Sequence, residues 1–197
     1  MNALIDTSSL LAFVRYYLPF DKDGHLRNFL EKKYESGEII VLDKVVEESK
    51  YVSQGIIVNQ LDFLVDWVRS KKVVDTKWLL PKQKFFNMLD NQFCNKSVLK
   101  LKGLSEIEFE QEKNNYLEGA DAKLLLVALD RISENSLIVT EETSASNDNK
   151  IFRKIPDNCK AIGIGCCALP VLLSEHFGID FGGFVESGLT SDSNVIA

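Results

Sequence analysis

Short unbroken apolar runs alternate along this chain with longer stretches in which apolar residues recur every three or four positions. Ala3-Leu4-Ile5 is the first run, and it stops at Asp6. Ile39-Ile40-Val41-Leu42 is the second, Leu137-Ile138-Val139 within residues 136–140 a third, and 161–165 a fourth, with Val73-Val74 as a brief further strand. Between them the helical period predicts helices over 10–17, 26–36, one capped by Asp43 and running through Tyr51, 60–69, 122–132 and 169–177. Continuous apolar strands alternating with amphipathic helices predict an α/β fold. It should be a three-layer α/β/α arrangement around a central parallel sheet buried on both faces.

The segment 75–117 departs from this rhythm. It is helical in pattern but less regular, and reads as an insertion into a single domain over 1–178. Residues 144–150 read as a loop. Residues 179–197, rich in Gly and Ser, are expected to form a loosely held tail.

Ligands of parallel α/β sheets bind beyond the carboxyl ends of the strands, and acids collect there. Asp6 closes the first strand. Glu47 and Glu48 lie one turn into the helix after the second, Asp121 stands in the first turn of the 122–132 helix, and Glu141 and Glu142 follow the strand ending at Thr140. Side-chain alternation along an extended segment puts Glu142 on the side of Thr140 and Glu141 on the other. Carboxylates gathered at one rim repel one another, and a divalent cation relieves the repulsion. An all-oxygen ligand set suits Mg²⁺ or Mn²⁺. The chemistry such a site supports is hydrolysis of a phosphodiester, with no histidine or cysteine required.

Charge sharpens the choice of substrate. The net charge of −6 argues against a general nucleic-acid binder, yet residues 69–102 hold nine basic residues against Asp75 and Asp90. That segment is +7 and the remainder −13, an asymmetry that calls for a polyanion at one place. Lys77, Lys82, Lys84 and Lys96, interleaved with Trp78, Phe85, Phe86 and Phe93, are the candidate RNA contacts. Phe85, Phe86 and Phe93 stand at helical spacing, which also fits a core face. No apolar run is long enough to span a membrane and the first residues do not read as a signal peptide, so a cytoplasmic protein is expected. Cys94, Cys159, Cys166 and Cys167 show no zinc spacing and read as small buried thiols. No glycine-rich phosphate loop follows a strand.

Four segments in order resemble PIN domains: Ala3-Leu-Ile-Asp-Thr-Ser-Ser-Leu-Leu-Ala12, Val45-Val-Glu-Glu48, Gly119-Ala-Asp-Ala-Lys-Leu-Leu-Leu-Val-Ala128 and Val139-Thr-Glu-Glu142. The last has Glu where that family usually has Asp. The resemblance implies a magnesium- or manganese-dependent ribonuclease with Asp6, Glu48, Asp121 and Glu142 as catalytic, metal-holding acids. Ser8 and Thr140 are the implied supporting hydroxyls, beside Glu47 and Glu141. It prefers Glu48 to Glu47 by position. Many bacterial members are toxins of toxin–antitoxin pairs, which implies an antitoxin protein as partner and a homodimer. Two other readings remain: a PIN-like scaffold that binds RNA or a protein without cutting, and a phosphatase using Asp6 as nucleophile. The second would want an Asp where Ser8 stands.

Overall fold

Ala3, Leu4 and Ile5 are all fully buried, although successive side chains on a strand point to opposite faces. The sheet they belong to is therefore covered on both sides, as a three-layer α/β/α fold requires. The computed structural model describes residues 2–70, 72–144 and 149–180. Most of the expected tail, from 181 onward, and part of the 144–150 loop lie outside the described residues.

Four strands, β1 (Ala3–Ile5), β2 (Ile39–Ile40), β3 (Leu137–Val139) and β4 (Gly165–Cys167), form one sheet in the order β2-β1-β3-β4. All pairings are parallel: Leu4 lies beside Ile40 and Ile138, and Ile138 beside Cys166. The expected Val73–Val74 strand is a single parallel bridge between Leu42 and Val74. From β1 the chain moves outward to β2, then crosses back to add β3 and β4 on the other side. The order thus reverses between β1 and β3, and the carboxyl ends of those two strands bound the crevice.

The helices are α1 (Thr7–Ala12), α2 (His25–Glu35), α3 (Asp43–Ser49), α4 (Ile56–Gln60), α5 (Phe63–Arg69), α6 (Gln83–Met88), α7 (Lys96–Lys102), α8 (Glu106–Glu118), α9 (Ala120–Asp130), α10 (Ile155–Ile162) and α11 (Leu169–Val171). One cluster of buried residues runs from Ala3 to Leu173. Phe85 and Phe93 are buried in it, so those insertion aromatics are core, whereas Trp78 is 79% exposed.

Among the boundaries that differ from the sequence reading, three have a clear local cause. Residues 161–162 end α10 instead of starting a strand. Gly163 takes a left-handed φ of +73° that stops the helix, Ile164 N–H closes onto Cys159 C=O at 3.0 Å, and the strand begins at Gly165. The first helix starts at Thr7 because Asp6 caps it. Asp43 lies inside α3 and not before it; its carboxylate accepts from the Thr76 hydroxyl at 2.6 Å and fixes the chain after the Val74 bridge.

Candidate active site

Asp6 continues the β1 ladder, its N–H donating to Val139 C=O at 2.9 Å, and its side chain turns into the crevice. Only 4% of the residue is exposed, and a buried carboxylate needs donors. It has four. Thr7 N–H donates to Oδ1 at 2.7 Å, while Oδ2 accepts from Ser8 N–H at 3.4 Å, the Ser8 hydroxyl at 2.6 Å and the Thr140 hydroxyl at 2.9 Å. Each hydroxyl has one proton, and both are given to Asp6, so the 3.1 Å approach of the two hydroxyl oxygens adds no further bond. Those oxygens accept in turn: Glu141 N–H donates to Ser8 Oγ at 2.9 Å and Glu142 N–H to Thr140 Oγ1 at 3.1 Å. Ser8 and Thr140 thereby hold Asp6 and the start of the 141–144 segment in one network.

The structure separates the two Glu pairs. Glu48 Oε2 accepts from the Thr7 hydroxyl at 2.6 Å, which draws it to the residue beside Asp6. Glu47 is exposed and stands 3.3 Å from Lys44 on its own helix. Glu142 Oε2 accepts from Ile155 N–H at 3.0 Å, at the start of α10, and its Oε1 lies 3.8 Å from Lys150 Nζ. Glu141 turns the other way, accepting from Leu169 N–H at 2.7 Å at the start of α11. Both carboxylates thus sit where a helix presents unpaired N–H groups.

Asp121, in the first turn of α9, is where the charges meet. Burial raises its pKa first, then the negative charges of Asp6, Glu142 and Glu48, against a partial offset from Lys150; the result is a rise from the ordinary 3.8 to about 7. All four acids named above therefore share one electrostatic neighbourhood.

The arrangement suits a hard divalent cation in charge and in donor type. Glu142 and Glu48 each commit one oxygen, Oε2, to a hydrogen bond within the chain, both oxygens of Asp6 accept from neighbouring donors, and the repulsion at Asp121 is only partly offset by Lys150. As the side chains stand, no three His, Cys, Asp or Glu residues among the described residues converge at metal-holding spacing. An ion would have to draw them inward, with Asp6 and Asp121 as anchors and Glu48 and Glu142 completing the set.

Two clefts open beside these acids. One, of about 390 Å³, is lined by Lys102, Asn115, Tyr116, Asp121, Asn149, Lys150, Arg153 and Lys154, among others. The other, of about 450 Å³, is lined by Thr140, Glu141, Glu142, Lys160 and three cysteines, Cys159, Cys166 and Cys167. Cys166 and Cys167 are half-buried, not buried as expected from the sequence. The Cys159 thiol is hydrogen-bonded to Cys166; that bond and burial raise the Cys159 pKa, and the same bond lowers that of Cys166 against burial. Burial, then neighbouring charge, pushes the Cys167 thiol up to about 11.

The family model for a domain of unknown function, DUF4411, matches residues 4–177. The chain belongs to this family. No curated protein and no solved structure matches it. The matched region takes in all four acids, both supporting hydroxyls and both clefts.

Lys77, Lys82, Lys84 and Lys96 are exposed, but none lines the cleft at Asp121, which takes only Lys102 from the basic segment. Sequence reading also passed over Thr7, Tyr116, Lys150, Arg153 and Lys154. Thr7 had a signal, being one of three consecutive hydroxyl residues after Asp6. The others had none stronger than the basic character of Lys150-Ile-Phe-Arg-Lys154.

Proposed function

We propose that this chain is a divalent-cation-dependent endoribonuclease of the PIN type, acting through Asp6, Glu48, Asp121 and Glu142. The observation that carries the reading is the field at Asp121. Burial first, and then three carboxylates from three other parts of the chain, raise the pKa of a fourth at the topological switch point of a parallel sheet. Such a grouping is costly in a protein with no use for it.

In this reading Asp6 and Asp121 would hold the cation, and Mg²⁺ or Mn²⁺ would supply an activated water and offset the charge of the phosphate. The chain's own part is positional. Ser8 and Thr140 fix the Asp6 carboxylate through their only protons, and Thr7 fixes Glu48. Glu142 is anchored on the start of α10 with Oε1 turned towards Lys150. RNA as substrate, an antitoxin protein as inhibitor and a homodimer extend the same reading by the PIN resemblance.

A scaffold that binds RNA without cutting is the second reading. It is favoured by Glu142, whose carboxylate has a complete structural explanation as the acceptor for Ile155 N–H. The phosphatase reading loses ground because both oxygens of Asp6 are engaged by donors and residue 8 is Ser.

The test is cleavage of a mixed cellular RNA pool with Mg²⁺ or Mn²⁺, comparing the unaltered chain with Asp6→Asn and Asp121→Asn. Cleavage that both variants lose supports the proposal. Absence of cleavage by the unaltered chain, with no stabilisation by Mn²⁺, favours the scaffold.

A further inference from the structure

The cleft beside Asp121 is positive in a protein of net charge −6. Lys102, Lys150, Arg153 and Lys154 stand against Glu112 and Asp121 among its lining residues, and Lys150 also lies 3.8 Å from Glu142. It is also a built feature. Residues 149–154 are pinned to the insertion by Asn95 N–H donating to Ile151 C=O at 2.7 Å and Arg153 N–H donating to Phe93 C=O at 2.8 Å, with an antiparallel bridge between Cys94 and Phe152. Phe152 stacks on Tyr116 of α8, with ring centroids 4.4 Å apart. Asn158 of α10, fully buried, joins the two walls: its Nδ2 donates to Arg153 C=O at 2.8 Å and to the Tyr116 hydroxyl at 3.1 Å.

The Tyr116 hydroxyl therefore has its acceptor side occupied, and the proton is what it has to give. Burial first, then the charges of Asp121 and Glu142, keep that proton in place by raising its pKa well above the ordinary range. The carboxamides of Asn115 and Asn149 add donors along the same wall.

We propose that this cleft binds backbone phosphate of the substrate strand where it adjoins the carboxylates, with Lys102, Lys150, Arg153 and Lys154 as the cationic contacts, Tyr116 as a neutral donor and Asn158 as the positioning residue. The inference rests on the nuclease reading for the identity of the strand, but not for the binding itself. It moves the nucleic-acid interface away from Lys77, Lys82, Lys84 and Lys96, and assigns it to a wall assembled from α7, α8 and residues 149–154. Cations are needed at this place because the four acids alone would repel a phosphodiester. The cleft's volume is ample for a nucleotide unit, being within the range of small-ligand sites.

The experiment measures binding of a fluorescent single-stranded oligouridylate to the full chain without divalent ions, over a range of salt. No cleavage occurs under those conditions, so the outcome is read separately from the nuclease reading. Two variants with the same change in net charge are compared: Lys102→Glu/Arg153→Glu in the cleft, and Lys22→Glu/Lys32→Glu at exposed positions elsewhere. The cleft pair should weaken binding by about tenfold or more. It should also lower the salt slope by about 1.4, because each of the two cations it removes neutralises one phosphate of a single strand. The control pair should stay within about threefold, since its charges act only at long range through screened solvent. Tyr116→Phe, which keeps the ring stack and removes only the hydroxyl, should weaken binding by about threefold with the salt slope unchanged, because the donor it removes is neutral. Equal losses in the two charge-reversed pairs would overturn the proposal, as would absence of binding by the unaltered chain. Full binding by the cleft variant overturns it as well, while leaving the nuclease reading to the cleavage assay.

Discussion

The two clefts beside the carboxylates are alike in size and opposed in character. The one reaching Asp121 is walled by four cations and a phenol, and its floor is tied together by Asn158. The one reaching Glu142 is walled by three thiols, two glutamates and a single lysine. Their frameworks differ too. The cationic wall hangs on the helical insertion, through the bridge between Cys94 and Phe152. The thiol wall is part of the sheet itself, since Cys166 and Cys167 lie in β4 beside Ile138 and Val139. A polyanion is attracted to the first and meets Glu141 and Glu142 at the second. For a chain that acts on a nucleic-acid strand as proposed, the contrast puts the strand's route on the insertion side and leaves the sheet side to hold the geometry of Thr140 and the residues after it.

The strongest way to break this division is at the acids. Asp6→Asn and Asp121→Asn should each abolish cleavage, measured on an RNA pool with Mn²⁺, while strand binding to the cationic cleft without metal is kept or improved by the loss of one negative charge. Loss of binding together with cleavage would mean that the acids and the cleft are not separable.

The next effect is on stability against pH. Asp121 binds its proton up to about pH 7 in the folded chain and only to about 3.8 when its environment is lost. Between those values the folded state carries more protons than the unfolded one, so its stability falls as pH rises through the window. Without divalent ions, Asp121→Asn should flatten that fall and leave the variant the more stable at pH 8. One pKa unit is worth about 1.4 kcal/mol, so the gain is at most about 4 kcal/mol. Mn²⁺ should reverse the order, stabilising the unaltered chain increasingly from pH 6 to 8 as the ion displaces the proton. Thermal unfolding across pH, with and without Mn²⁺, reads both effects. An unaltered chain whose stability is level from pH 4 to 7 would contradict the field described at Asp121.

These acids differ in how far the sequence alone exposes them. The α/β class was legible because strands buried on both faces must be apolar throughout, and Ala3-Leu4-Ile5 and Leu137-Ile138-Val139 are. Asp6 was legible for the same reason, as an acid closing such a run stands at the sheet edge. The last strand was misplaced because Ala161-Ile162 is as apolar as Gly165-Cys166-Cys167, and only the conformation of Gly163 divides helix from strand. The cationic cleft was not legible. Its wall joins Lys102 to residues 149–154, nearly fifty positions on, through a bridge of two residues that no periodicity announces. The basic segment signalled a polyanion, but the charge count does not say which lysines face the acids. Four of them stand out in solvent away from both clefts, and Lys102 lies at the far end of the run.

On the sheet side the expected effects are structural. Thr140 is 2% exposed, and its hydroxyl proton is one of the donors to buried Asp6. Thr140→Val keeps the shape and removes that donor, leaving Asp6 and the N–H of Glu142 each short of a partner. A loss of about 1–3 kcal/mol in denaturant unfolding follows. Cys166→Ser should leave strand affinity within about twofold, because its cleft lies off the strand's route, and the same titration used for the cationic cleft measures it. A larger loss would place the strand on both sides of Glu142.

The smallest effects discriminate between neighbours. Glu47 and Glu48 are one residue apart on α3 and both exposed, yet one pairs with Lys44 at 3.3 Å and the other accepts from Thr7 at 2.6 Å. A surface ion pair contributes little, so Glu47→Ala should change stability by no more than about 0.5 kcal/mol and leave stabilisation by Mn²⁺ unaltered. Glu48→Ala should also change the metal-free stability only modestly, since an exposed side chain is removed. It should nevertheless reduce the Mn²⁺-dependent rise in melting temperature, because Thr7 holds its carboxylate beside Asp6 where an ion would sit. The two variants differ in nothing but position on one helical turn, which makes the comparison independent of net charge. Equal responses to Mn²⁺ would remove Glu48 from the metal set and leave Asp6, Asp121 and Glu142 to hold the ion.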